Sequence, residues 1–91
     1  MAGMSDFSLD QNYPNPFNPR TAIQFRLPER AFVNLQVFNA AGQAVATLVS
    51  AQLGAGTHRV DWVASRMPSG MYLCRLQAGK FTQSRKMILV K

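Results

Sequence analysis

Most of the residue types that carry chemistry are scarce in this chain. Its 91 residues include one cysteine, Cys74, and one histidine, His58. A single thiol excludes an intramolecular disulfide, so stability must come from packing. It leaves the redox compartment undecided. One Cys and one His also fall short of the ligand cluster that a metal site requires. A Cys–His dyad would lack a third group and an oxyanion loop. Acids are few: Asp6, Asp10, Glu29 and Asp61 are the complete set. All but Asp61 fall at expected strand ends or in loops. A glycosidase needs two carboxylates facing each other across a cleft, and a chain this short leaves little room for one. No apolar run approaches the roughly 18 residues that a membrane helix needs. No segment resembles the crossover helices of an α/β fold. The expectation is a non-enzyme with no cofactor and no metal.

What is present describes a small folded domain. Hydrophobic residues make up 47% and charged residues 15%, a balance typical of an ordered globular chain rather than a disordered one. The net charge is +6, from ten Lys and Arg against the four acids. Such a balance favours polyanions. The cations are scattered singly, apart from the Arg85–Lys86 pair, and no aromatic stretch interleaves with arginine. Dispersed charge of this kind reads as solvated strand faces, so no nucleic-acid partner is expected. The opening "MAGMS" lacks the apolar stretch of a secretory signal and reads as an expression scar. Residues 1–5 are therefore set aside, and residues 6–91 are read as one domain, expected to come from the C-terminal end of something larger.

Along those residues the dominant signal is alternation. "TAIQFRL", residues 21–27, places Ile23, Phe25 and Leu27 on one face, the mark of a half-buried strand. Pro28 ends it. "FVNLQVF", residues 32–38, repeats the pattern with Val33, Leu35 and Val37. Gly42 in "NAAGQ" suits a short hairpin with a bulge, and "AVATLV", residues 44–49, reads as the returning strand. Residues 40–53 also carry a rival reading, a short helix with Val45, Leu48, Val49 and Gln52 at helical spacing, Asn39 as its N-cap and Gly54 as its stop. The strand is preferred because Gly42 would cost about 1 kcal/mol inside a helix. "THRVDWV", "MYLCRLQ" and "FTQSRKMILV" supply further strands at residues 57–63, 71–77 and 81–90, and "FSL" a short one at 7–9. About seven strands with turn signals every 8–12 residues predict an all-β fold. The expected form is an antiparallel immunoglobulin-like or fibronectin type III-like β-sandwich.

The predicted core is Ile23, Phe25, Leu27, Val33, Leu35, Val37, Val60, Trp62, Tyr72, Leu76 and Leu89. Cys74, in step with Tyr72 and Leu76, reads as a small buried apolar residue. His58 reads as a strand residue with a satisfied or solvated ring. Trp62 is preferred as core, with a sugar-stacking platform as the competing role.

Five blocks in order carry a family resemblance: "NYPNPFNPRTAIQFRLP", "VNLQVFNAAGQAVATLV", "LGAGTHRVDW", "SGMYLCRLQAG" and "RKMILVK". From about Asn12 to Lys91 the chain resembles the C-terminal sorting domain of the type IX (Por) secretion system. Its second half is also similar to the immunoglobulin-like domain of flagellar hook-capping proteins. The resemblance implies a non-catalytic address on a cargo that lies N-terminal to it. The cargo would cross the periplasm, be passed through the outer membrane by a translocon that reads this domain, and reach the medium or the cell surface. A sortase-type peptidase would then remove the domain and attach the cargo to an anionic lipopolysaccharide. The motif blocks fall on Pro14, Asn15 and Pro16; on Asn39, Gly42 and Gln43; on Ser69, Gly70 and Tyr72; and on Lys86, Met87, Ile88, Leu89 and Val90. All of these except Ser69 are the candidate recognition residues. Met71 and Cys74 depart from the bulkier residues usual in the family. The alternative is a carbohydrate-binding or adhesive accessory sandwich of a secreted hydrolase.

Two stretches remain open in function. "NYPNPFNP", residues 12–19, packs three prolines, three asparagines and two aromatics into eight positions. Each proline fixes its own φ and restricts the residue before it. The segment is expected to be a stiff clamp pinned by Tyr13 and Phe17, serving either as a turn or as a recognition epitope. "RKMILVK" carries apolar groups on both faces. Either both are covered in the folded domain, or one edge is left free for strand addition and weak self-association.

Overall fold

Alternation in the sequence becomes pairing in space. The computed structural model describes residues 6–91, so the expected scar at residues 1–5 lies outside the described residues. Seven strands follow in order: β1 (Ser8–Leu9), β2 (Arg20–Leu27), β3 (Ala31–Asn39), β4 (Ala44–Leu53), β5 (Gly56–Val63), β6 (Gly70–Ala78) and β7 (Phe81–Leu89). Every strand pair is antiparallel. They form a three-stranded sheet, β1-β2-β5, and a four-stranded sheet, β4-β3-β6-β7. In the immunoglobulin constant arrangement the fourth strand joins the first sheet. Here β4 joins the second, which gives the fibronectin type III-like form of the sandwich.

The core fills the space between the inner faces. The three-stranded sheet contributes Leu9, Ile23, Phe25, Leu27 and Trp62, all buried. The four-stranded sheet answers with Val33, Leu35, Val37, Tyr72, Leu76, Met87 and Leu89. Each large apolar side chain removed from water contributes about 1.5–3 kcal/mol. Ten of the eleven predicted core residues are buried. Val60 is only half-buried, because β5 ends its sheet and one flank of the strand stays open. His58 stacks on Phe25 with ring centroids 5.4 Å apart, and its Nε2 lies 2.8 Å from the Gly54 carbonyl, so its ring is satisfied.

The helical rival for residues 40–53 has a structural origin. Leu35 pairs with Val49 but Gln36 with Thr47; Val37 pairs with Ala46 but Phe38 with Ala44. Leu48 and Val45 are therefore extra residues, one at each of two β-bulges. The bulges turn pairs 45/46 and 48/49 toward partial burial, a spacing that mimics helix periodicity within a strand. Gly42 takes φ +85° in the preceding turn, as the hairpin required.

Cys74 is buried against the core, and burial pushes its thiol from the ordinary 9.0 up to about 12. A raised acid pKa means the folded chain holds a proton that the unfolded chain has released. This contribution to stability is fully present below about pH 9 and is lost as pH rises toward 12. Cys74 is expected to resist a thiol reagent in the native domain at pH 8 and to react fully in denaturant. Urea melts should show a fall in stability between pH 9 and pH 11 that is smaller in Cys74→Ala. Fast native labelling would place the thiol at the surface.

Candidate functional site

The proline-rich stretch lies between β1 and β2 and stitches one sheet to the other. Its first half holds β2: Tyr13 N–H donates to the Ala22 carbonyl at 3.0 Å, and Ala22 N–H donates back at 2.9 Å. The buried Asn12 donates to the Pro14 carbonyl at 3.1 Å and to Thr21 Oγ at 2.9 Å, and the Thr21 hydroxyl donates to the same carbonyl at 2.9 Å. Its second half holds β7. Phe17 N–H donates to the Ile88 carbonyl at 2.9 Å, and Val90 N–H donates to the Phe17 carbonyl at 3.0 Å. Asn15 Oδ1 accepts the Ile88 N–H at 2.9 Å. The Phe17 ring is buried, 5.7 Å from Trp62. Phe17 is thus the expected pin. Tyr13 is not: its side chain is 81% exposed, and only its backbone holds the strap.

The second block is a tight turn. Asn39 Oδ1 accepts the N–H groups of Ala41 and Gln43, both at 3.0 Å, and its Nδ2 donates to Gln43 Oε1 at 2.9 Å. Asn39 N–H donates to the Gln43 carbonyl at 2.9 Å. One side chain thus replaces several backbone partners. Asn39→Ala is expected to cost about 0.5–1.5 kcal/mol, since its bonds are exposed, read as a lower urea midpoint with an unchanged slope. An unchanged midpoint would show the turn to be held by Gly42 and the strands alone.

The third block opens β6. Gly70 takes φ +150°, and the buried Tyr72 donates its hydroxyl to the Pro68 carbonyl at 2.6 Å. This resembles the tyrosine corner of immunoglobulin-type sandwiches. Ser69 Oγ accepts the Lys91 N–H at 3.0 Å. The fourth block is the end of β7. Met87 and Leu89 are fully buried, Ile88 half-buried, and Lys86 and Val90 exposed. The Lys86 carbonyl accepts from Gln11 Nε2 at 2.7 Å.

All four blocks meet at one end of the four-stranded sheet. Asn39 pairs with Tyr72, Tyr72 with Met87, Gly70 with Leu89, and Leu89 bridges to Phe17. Across this row, Tyr72, Met87 and Leu89 are scaffold. Pro14, Asn15, Pro16, Gly42, Gln43, Gly70, Lys86 and Val90 face solvent. The two options for "RKMILVK" also separate. One face is core, and the free edge beyond it is already occupied by Asn15 and Phe17. Sequence reasoning missed Gln11, whose partner Lys86 lies far along the chain, and Asn12, which bonds to Pro14 and Thr21 nearby. Among the described residues no group of His, Cys, Asp and Glu could hold a metal.

The family described as the secretion system C-terminal sorting domain matches residues 11–91. No match emerges among curated proteins.

Proposed function

Because the chain belongs to the family of type IX secretion C-terminal sorting domains, we propose that it directs an N-terminal cargo through the periplasm and across the outer membrane, and on to attachment at the cell surface. Membership makes it a signal domain rather than a catalyst and makes its parent a secreted or cell-surface protein. The proposed partners are the outer-membrane translocon and a sortase-type peptidase.

What supports this reading is the meeting of the four motif blocks in one row at the end of the sheet. A folded, pre-ordered address costs little ordering entropy when it is bound. The strap is hydrogen-bonded to β2 at Tyr13 and to the last strand at Asn15 and Phe17, so the presented surface is braced by both sheets. The test is fusion to a periplasmic reporter in a host with the secretion machinery. Reporter in the medium or on the cell surface is expected. Reporter that stays periplasmic overturns the address. The carbohydrate alternative loses its platform, because Trp62 is buried.

A further inference from the structure

The outer face of the four-stranded sheet is unusual in charge and in apolar exposure. Odd residues of β3 and even residues of β6 fill the core, so Phe38, Met71, Leu73 and Arg75 point outward. Phe38 pairs with Leu73, Met71 with Ile88, and Leu73 with Lys86. Met71 and Leu73 are 40% and 37% exposed. With Phe38 and the 39–42 turn they line a shallow depression of about 320 Å³. The four strands of this sheet contain no Asp or Glu at all; every acid of the chain lies elsewhere. Two cations, Arg75 and Lys86, flank the apolar cluster.

Arg75 is held in readiness. Its guanidinium carbon sits 4.5 Å from the Phe38 ring centroid, and one terminal nitrogen donates to Gln36 Oε1 at 3.1 Å. Its Nε–H has no acceptor, and Asn34 Oδ1 on the neighbouring strand has no donor. These are the two buried side-chain polar atoms without a partner among the described residues. Both atoms are closed off from solvent, so a partner would meet the exposed part of the guanidinium, for which a carboxylate is the natural acceptor.

We propose that this face docks an acidic protein segment bearing aliphatic or aromatic side chains, its carboxylates on Arg75 and Lys86 and its apolar groups on Phe38, Met71, Leu73 and Ile88. The inference supplies partner chemistry for the sorting reading and rests on that reading for the partner's place in the export machinery. A second copy is disfavoured, since two acid-free cationic faces repel. An anionic membrane is disfavoured because Arg75 is pinned to the sheet instead of free to reach headgroups.

The test has two arms. In the first, the isotope-labelled domain is titrated with an extended peptide alternating Glu and Leu. Amide shifts are expected around residues 38, 71, 73, 75 and 88, with binding weakened at least about tenfold by Arg75→Glu with Lys86→Glu and screened by added salt. Because Arg75 is half-buried, Lys86→Glu alone, at an exposed position, serves as the milder variant and should weaken binding several-fold. Shifts confined to β2 and β5, no shifts at millimolar peptide, or tighter binding to phosphatidylglycerol vesicles than to peptide overturns the proposal. In the second arm the same variants are fused to the exported reporter. Reduced export by Lys86→Glu with an unchanged melting profile is expected, and wild-type export by the double variant also overturns the proposal. If even the wild-type fusion is not exported while the peptide binds as described, the sorting reading falls and the docking face stands.

Discussion

Trp62→Ala is expected to cost about 3–5 kcal/mol, the largest loss from any single substitution considered. Trp62 lies on β5 of the three-stranded sheet and is 6% exposed. Its ring meets Phe17 of the strap at 5.7 Å and Tyr72 of the four-stranded sheet at 5.5 Å, edge-on. One side chain therefore joins both sheets and the strap. Truncation leaves a cavity among aromatic neighbours too large to collapse fully, and it removes pair interactions worth about 0.5–1.5 kcal/mol each beyond burial. A small domain has about 5–15 kcal/mol in total, so the variant should be marginal at ambient temperature. Urea melts measure the effect. A loss under about 1 kcal/mol would place the ring at the surface and bring back the sugar-stacking role.

The strand pattern was legible because one face of each sheet is buried, and a period of two is then imposed on the sequence. The reading weakened where that physics weakens. At β4 the two bulges broke the period, and helix and strand became hard to separate. At Tyr13 the restricted backbone was read correctly as a fixed point, but the aromatic ring was wrongly assumed to be what fixes it. Backbone hydrogen bonds to Ala22 do so, and no side-chain pattern reports them. The candidate site was legible as four separate blocks. Their meeting in one row depends on which strands are neighbours, and the β4-β3-β6-β7 order is not written in local periodicity. The docking face was invisible for a related reason. The acid-free stretches are interrupted in sequence by Asp61 on β5, which the fold carries away to the other sheet.

Deletion of residues 87–91 is expected to unfold the domain, and loss of export in that variant would then carry no information about recognition. The deletion removes Met87 and Leu89, both at or below 1% exposure, each worth about 2–5 kcal/mol by the cost of truncating a buried aliphatic side chain. It also removes the acceptor and donors that hold the strap: the Ile88 carbonyl for Phe17, the Val90 N–H, and the Ile88 N–H bound to Asn15. Without them Phe17 loses its backbone anchor, and its packing on Trp62 goes with it. The sum is comparable to the whole stability of a small domain. Ile88→Ser with Val90→Ser separates folding from recognition. Both backbone positions stay, so the strap keeps its hydrogen bonds. Val90 is 49% exposed and Ile88 only half-buried. That double variant is expected to fold with a modest loss, about 1–2 kcal/mol for partial burial, and to lose export because it strips apolar contacts from the presented end. Near-native melting with normal export would remove this face from the signal. Unfolding would show that Ile88 bears on the core more than its exposure implies.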